Sequence, residues 1–122
     1  MIDLSSIEKI YIATGHCDFR FGVNRLCQLI ESKGNNPYDG SLFVFCSKDK
    51  RKIKCIHFDG GGTWLLEKIL SEERFKWIKD DVMNIKAISQ KQLSWFMDGL
   101  DIEPRQFIKG HEYELNRQNT KN

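Results

Sequence analysis

Basic side chains crowd into one short stretch of this 122-residue sequence. Positions 48 to 54 hold five cations and a single acid, Asp49, although the whole chain has a net charge of only +2. Clustered cations repel one another unless an anion or solvent screens them. Such side chains bind phosphate groups without reading base sequence. The candidate phosphate contacts are Lys48, Lys50, Arg51, Lys52 and Lys54.

Three interpretations of this basic segment stay open: contact with nucleic acid, contact with an acidic protein, or a solvated hairpin tip. Lysines at hairpin tips and sheet edges commonly prevent aggregation and need have no ligand. Arg74 and Lys76 lie in the segment RFKWI, which we expect nearby in the sheet, and they could extend the basic surface. Trp64 or Trp77 would then be available to stack on bases.

Other residue groups could support different chemistry. The segment FDGGGT lacks the lysine that follows the glycines of a phosphate-binding P-loop, and a strand pattern comes next. It therefore predicts a hairpin turn in which Asp59 bonds its own backbone. A zinc site would need two separate pairs, Cys55 with His57 and His16 with Cys17, to meet in space. The sequence therefore favours no metal site.

Four carboxylates could hold Mg²⁺ for phosphoryl chemistry if the fold brought them together. These are Asp18, Asp59, Asp80 and Asp81. Each lies beside a predicted turn, where a structural role is common. No serine or cysteine lies in a recognisable nucleophile motif. The residues therefore favour a protein that is not an enzyme and that needs no cofactor.

The composition, 40% hydrophobic and 30% charged, is that of an ordinary folded chain. We expect one α+β domain over residues 1–100 and a polar, partly disordered tail over residues 101–122. No apolar stretch is long enough for a signal peptide or a membrane span, so the prediction is a cytoplasmic protein without a membrane partner. The four cysteines form no CxxC pair and are expected to be reduced thiols.

The periodicity of apolar residues predicts the elements that position these groups. A strand is expected over Lys9–Thr14 and a helix over Phe21–Lys33, ended by Gly34. The segment SLFVFC is apolar on both faces, which is typical of a central strand. A strand over Lys52–Phe58 returns from the basic turn, and WLLEKIL and RFKWI continue the hairpin series.

A second helix is predicted from Ser89 to about Gly99. Ser89 and Gln92 have the spacing of a capping box, and an apolar stripe follows. The stripe consists of Leu93, Phe96, Met97 and Leu100. The predicted fold is α+β: a mainly antiparallel, four- to five-stranded meander sheet with two helices, in the order β-α-β-β-β-β-α. We expect both helices on one face of the sheet.

Several motifs occur together in one order: IYIATGHCDFRFGVNRL, then NPYDGSLFVFCSKDKRKIKCIHFDGGGTWLLEKI, then RFKWI and ISQKQLSWFMDGL. Over about residues 8–100 this series resembles the TnpB, or Orf2-like, accessory proteins of bacterial insertion sequences of type sixty-six. The matching positions are Ala13, Thr14, Gly15, Asp18, Arg20, Gly22, Leu42 to Phe45, Lys52, Lys54, Asp59, Gly60 and Gly62. Departures from the family pattern are Phe19, His57, Phe58 and Ile78.

The resemblance implies an auxiliary, non-catalytic role in transposition, beside a separate transposase that carries an acidic catalytic centre. The implied partners are element-end DNA, the transposase, or both. Within the matched motif, Asp18 and Arg20 lie two residues apart near a helix start. Arg20 could pair with that aspartate or contact a phosphate.

Two other functions compete with DNA contact. One is a protein-interaction module that docks on the transposase through aromatic anchors, for which the candidates are Trp64, Phe75, Trp77 and Trp95. The other is a metal-dependent nuclease that uses Asp18 and Asp59. The nuclease hypothesis requires those two carboxylates to be close enough to share a metal ion.

Overall fold

The computed structural model describes residues 4–97 of the chain. It contains a five-stranded sheet and two helices, which confirms the predicted α+β class. The elements are β1 (Ile10–Ala13), α1 (Val23–Ser32), β2 (Leu42–Cys46), β3 (Lys52–Phe58), β4 (Thr63–Ile69), β5 (Ile85–Ile88) and α2 (Gln90–Met97). The predicted continuation of the second helix to Gly99 and Leu100, and the predicted tail over residues 101–122, lie outside the described residues.

The strands are arranged in the order β4-β3-β2-β1-β5. From β2 to β4 they form the predicted antiparallel meander, with one-to-one pairing from Lys52 opposite Ile69 to Phe58 opposite Thr63. The sheet as a whole is mixed, because β1 runs parallel to β2. Parallel neighbours need a crossover connection, and α1 supplies it. The carboxyl ends of β1 and β2 therefore lie side by side.

Strand β2 is buried on both faces, as its apolar pattern predicts. Leu42, Val44 and Cys46 face one core, which also contains residues of α2 and which we call the α2-side core. Phe43 and Phe45 face the other, which contains residues of α1 and which we call the α1-side core. The expectation that both helices cover one face is therefore wrong. A central strand that is apolar on both sides requires a cover on each.

The segment RFKWI is not a strand, although its side chains alternate as a strand's would. Phe75 and Trp77 are buried in the α2-side core, while Arg74 and Lys76 are exposed. Its polar groups bond to scattered partners: Phe75 N donates to the Lys50 carbonyl at 2.6 Å, and Trp77 Nε1 donates to a carbonyl of β1 at 2.9 Å. Period-two alternation indicates extended backbone, but it does not show that the backbone joins a ladder.

The last strand of the sheet is β5, which the sequence analysis did not predict. It pairs antiparallel with β1 over four residues, from Ile10 opposite Ile88 to Ala13 opposite Ile85. Only Ile88 of the four is buried, so the segment lacks a clear apolar pattern. The strand is defined by its backbone pairing with β1, which no local residue pattern reveals.

Both helix boundaries follow from local chemistry. Gly34, with a φ of +86°, follows the end of α1 as predicted, since glycine adopts this left-handed conformation without strain. At the start of α2, Gln92 N donates to Ser89 Oγ at 3.1 Å and Ser89 N donates to Gln92 Oε1 at 2.9 Å. The predicted capping box is therefore present.

The four cysteines are buried, unpaired thiols. Burial raises the pKa of Cys17 to about 11 and the pKa values of Cys46 and Cys55 to about 12. They stay protonated at neutral pH and serve as small apolar residues. Among residues 4–97, no helix is long and apolar enough to cross a membrane.

We expect Phe75→Ala to destabilise the fold by about 3–5 kcal/mol, because it opens a cavity in the α2-side core. Phe75 is fully buried, whereas the adjacent Lys76 is exposed. Lys76→Ala is the matched control and should change the free energy of unfolding by less than about 0.5 kcal/mol. Urea denaturation followed by circular dichroism measures both. Equal stability of the two variants would show that RFKWI does not anchor the core.

Candidate functional site

A solvent-open groove runs along the end of the sheet where β1 and β2 finish. It consists of two adjoining hollows of about 410 and 520 Å³, which share His16, Ser47 and Lys48. The first is completed by Gly15, Lys50, Trp77, Ile78, Lys79, Asp80 and Asp81. The second is completed by Cys17, Asp18, Phe19, Arg20, Asp49 and Lys52. We call the two hollows together the basic groove.

The basic turn between β2 and β3 is held by its own acid and hydroxyl. Asp49 Oδ1 accepts hydrogen bonds from Ser47 Oγ at 2.7 Å and from the Arg51 backbone N–H at 3.0 Å. These bonds lower the pKa of Asp49, with the Ser47 hydroxyl as the main cause. Lys50 adopts a left-handed φ of 62°, which the tight turn requires. The turn therefore fixes Lys48 and Lys50 along the basic groove.

Two of the five cations in the basic segment have structural roles. Arg51 donates from Nε and Nη2 to the Leu70 carbonyl at 3.3 and 3.2 Å, and from Nη2 to the Ser71 carbonyl. Lys54 is only 7% exposed, and its Nζ donates to the carbonyls of Phe19 at 2.6 Å and Phe21 at 3.0 Å.

The structure therefore does not favour the predicted phosphate contact of Lys54, because its ammonium group is already bonded inside the protein. Its position on β3 faces the α1-side core, and its ammonium group also lies 4.8 Å from the centre of the Phe19 ring. Arg51 joins the basic turn to the chain that follows β4, so the structure favours it less than the remaining lysines as a phosphate contact. Lys48, Lys50 and Lys52 remain, and all three line the basic groove.

Arg74 and Lys76 do not lie on a neighbouring strand, as the sequence analysis expected, but on the extended segment beside the basic turn. Arg74 is exposed, and its Nε donates to the Asp49 carbonyl at 3.1 Å. It therefore lies next to the basic groove. Lys76 is exposed on the side of the segment opposite to Phe75 and Trp77, and it does not line the basic groove.

Arg20 forms an ion pair with Asp18 at 2.6 Å and remains 90% exposed. Its Nε and Nη2 bond the two carboxylate oxygens, and its backbone N–H donates to Oδ1 at 2.9 Å. This pairing lowers the pKa of Asp18 to about 2 and raises the pKa of Arg20. The pairing alternative is therefore correct, and the exposed guanidinium still lines the basic groove.

Sequence reasoning did not assign a role in the groove to Lys79 or His16. Lys79 comes into place because the chain after Trp77 crosses close to the end of β1. Gly15 N donates to the Ile78 carbonyl at 2.8 Å. A Cβ added to Gly15 would lie 2.9 Å from the Asp80 carbonyl oxygen, so this crossing needs glycine. The glycine of the ATG motif could have indicated that another chain segment passes close to Gly15. It could not have shown that this segment is the chain after Trp77.

The carboxylates proposed for metal binding do not meet. Asp59 lies in the turn after β3, whereas Asp18 follows β1, at the opposite end of the sheet. As predicted, Asp59 bonds its own turn: Oδ1 accepts from Gly61 N at 2.9 Å and from Gly62 N at 3.0 Å. These bonds, together with Trp64 Nε1 bonded to Oδ2, lower the pKa of Asp59. The nuclease hypothesis loses its shared metal site.

The histidine and cysteine pairs also lie apart. Cys55 is buried in β3, and His57 at the far end of that strand pairs with the first residue of β2. His16 and Cys17 lie at the opposite end, in the basic groove. Within residues 4–97, no group of three or more histidine, cysteine, aspartate and glutamate side chains could hold a metal ion.

Most of the proposed aromatic anchors belong to the core. Phe75, Trp77 and Trp95 are buried in the α2-side core and are not available to a partner. Trp64 is 43% exposed on β4, where its Nε1 donates to Asp59 Oδ2 at 2.8 Å. It is the one proposed anchor, among the four, that a second protein could reach.

The amino-acid sequence is similar to those of known proteins. The family described as IS66 Orf2 like protein matches residues 8–107. Two curated proteins of Sinorhizobium fredii (strain NBRC 101917 / NGR234) are similar. "Uncharacterized protein y4hO" is 39% identical over 76% of this chain and 81% of its own length. "Uncharacterized protein y4jC" is 36% identical over 83% of this chain and 86% of its own length. No solved structure gives a significant match.

We expect Lys54→Met to destabilise the fold by about 1.5–3 kcal/mol, because two partly buried carbonyls lose a charged donor while the aliphatic volume is kept. Lys52→Met, two residues away on the same face of β3 but only partly buried, is the matched control and should have a much smaller effect. Urea denaturation measures both. A neutral Lys54→Met variant would return this lysine to the candidate ligand contacts.

The ion pair of Asp18 and Arg20 makes a pH-dependent prediction. Because folding lowers the pKa of Asp18, the pair stabilises the fold above the ordinary aspartate pKa of about 3.9, and this stabilisation is lost as the pH falls through about 2. NMR titration should give a pKa of about 2 for Asp18 and a higher value in Arg20→Gln, which loses the guanidinium but keeps the backbone N–H bond. Arg25→Gln, which removes only a weaker and more distant charge, should raise the Asp18 pKa far less.

Proposed function

The chain belongs to the IS66 Orf2-like protein family, and we propose that it is a non-catalytic accessory protein of transposition that contacts the phosphates of element-end DNA through the basic groove. One observation carries the proposal: Lys48, Lys50 and Lys52 line one solvent-open groove together with Lys79. Among the described residues, none of these four lysines forms an ion pair with an acid within 4 Å.

The acidic residues of the groove are distributed unequally between its two walls. Asp49 is engaged inside the basic turn, and Asp18 is paired with Arg20. Asp80 and Asp81 follow Lys79 on the wall formed by the chain after Trp77. The wall formed by the basic turn is therefore the cationic one, and a phosphate would approach along it.

The groove also suits phosphate contact because its cations are carried by fixed backbone. Hydrogen bonds from within the turn hold Lys48 and Lys50, and Arg74 adds a bond to the Asp49 carbonyl. The start of α1 lies at the same end of the sheet, and Gly22, which precedes it, provides no side-chain cap. Exposed N–H groups at a helix start favour anions. Arg20 and Arg74 would add contacts at the rim.

A protein-interaction module that docks on the transposase is the second candidate, and the exposure of Trp64 favours it. The two functions make different demands on the basic groove. Capture of the transposase that survives both nuclease treatment and neutralisation of Lys48 and Lys50 would favour protein docking. Loss of capture on nuclease treatment alone would favour the DNA-contacting function.

The DNA-contacting function predicts a steep dependence of affinity on salt. Each phosphate contact contributes about −0.9 to the slope of log K against log salt concentration. Lys48→Gln with Lys50→Gln should therefore make the slope less negative by about 2 and should weaken binding at low salt. Fluorescence anisotropy with a labelled element-end duplex measures the slope.

The matched control is Lys9→Gln with Lys33→Gln, which removes the same charge from exposed lysines at the opposite end of the sheet. This control should leave the slope close to that of the unmodified chain. Equal losses in the two double variants would show that net charge alone attracts DNA. A slope near zero in the unmodified chain would contradict phosphate contact.

A further inference from the structure

Strand β4 forms one edge of the sheet and exposes three large apolar side chains. Within residues 4–97 it pairs only with β3, over seven residues and without a bulge or a proline. Trp64, Leu65 and Ile69 are 43%, 41% and 59% exposed. Natural sheets usually protect such an edge by shortening, bending or charging it. The opposite edge, β5, has only four residues.

The hydrogen-bond pattern shows which residues of β4 face outward. Asp59 N donates to the Gly62 carbonyl, and Leu70 N donates to the Arg51 carbonyl, so the hydrogen-bonded pairs just beyond the two ends of the β3–β4 ladder are known. Antiparallel pairs alternate between bonded and non-bonded positions. The residues that direct both N–H and C=O away from β3 are therefore Thr63, Leu65, Glu67 and Ile69.

We propose that a second copy of this chain adds to β4 in antiparallel orientation, so that two sheets join into one of ten strands around a twofold axis. The proposed axis passes beside Leu66, so that Leu66 lies opposite Leu66 of the second copy. Thr63 then pairs with Ile69 of the second copy, and Leu65 pairs with Glu67. In this register all four outward-facing residues exchange hydrogen bonds with one another, and the interface is self-complementary.

The charges of β4 favour this register over the one centred on Glu67. A shift that centres the axis on Glu67 would set that carboxylate opposite its own copy, which is destabilising. With the axis at Leu66, Glu67 lies opposite Leu65 of the second copy, and Lys68 lies opposite Trp64. No pair of like charges is then directly opposed along Thr63–Ile69.

Sedimentation and light scattering of the full chain test the proposal. The unmodified chain should have twice the 14.3 kDa chain mass at tens of micromolar. Leu65→Pro removes an outward N–H that the proposed dimer uses, so it should give a monomer. The variant should still fold, because proline is tolerated at an outward position of an edge strand.

Ala87→Pro is the matched control on the other edge. The bond from Thr14 N to the Asn84 carbonyl shows which β5 residues bond to β1, and the backbone N–H of Ala87 points away from that strand. This variant should therefore stay dimeric. An unmodified chain that remains monomeric, or a folded Leu65→Pro variant that remains dimeric, would overturn the proposal.

Charge substitution tests the register and does not depend on the folding of the proline variant. Leu65→Asp places a carboxylate opposite Glu67 of the second copy at two symmetric sites, so it should dissociate the dimer. Adding Glu67→Lys places opposite charges there and should restore the dimer. A dimer that persists in Leu65→Asp, or a double variant that stays monomeric, would contradict the twofold axis at Leu66.

Discussion

The burial of β2 on both faces is the constraint on which the rest of the structure depends. All five residues, Leu42–Cys46, are withdrawn from solvent, so the chain must provide an apolar layer on each side of the sheet. Helix α1 provides one layer; α2 and the extended segment that carries Phe75 and Trp77 provide the other. At about 25 cal/mol per Å² of buried apolar surface, these layers are the main favourable term in folding.

This two-sided burial also produces the basic groove. Because α1 crosses one face of the sheet, β1 and β2 run parallel and end together, and the loops that follow them meet. The segment needed to cover the other face ends by crossing the same place, next to Gly15. The groove is therefore a consequence of how the two layers are connected, and its lysines lie on turns that the core holds in position.

Much of the fold could be predicted from local patterns, since β2, β3 and the capping box of α2 have clear periodicity or spacing. The periodicity of β4 fits a helix or a strand, and the glycine turn before it favours the strand. What could not be predicted depends on contacts between distant residues. RFKWI alternates like a strand, yet it finds its hydrogen-bond partners outside any ladder, and β5 is defined only by pairing with β1. The basic segment looked like one uniform cluster. The fold divides it, because Lys54 is buried against the α1-side core, whereas Lys48 and Lys50 lie on the turn that precedes β3.

The most direct test of the central claim is an NMR titration of isotopically labelled chain with an element-end duplex at low salt. Phosphate contact at the basic groove predicts that amide shifts change first in residues 14–20, 47–52 and 77–81. Residues 36–41 and 57–62, at the opposite end of the sheet, should change little. Changes concentrated at that opposite end or along β4, with the groove unaffected, would contradict the account.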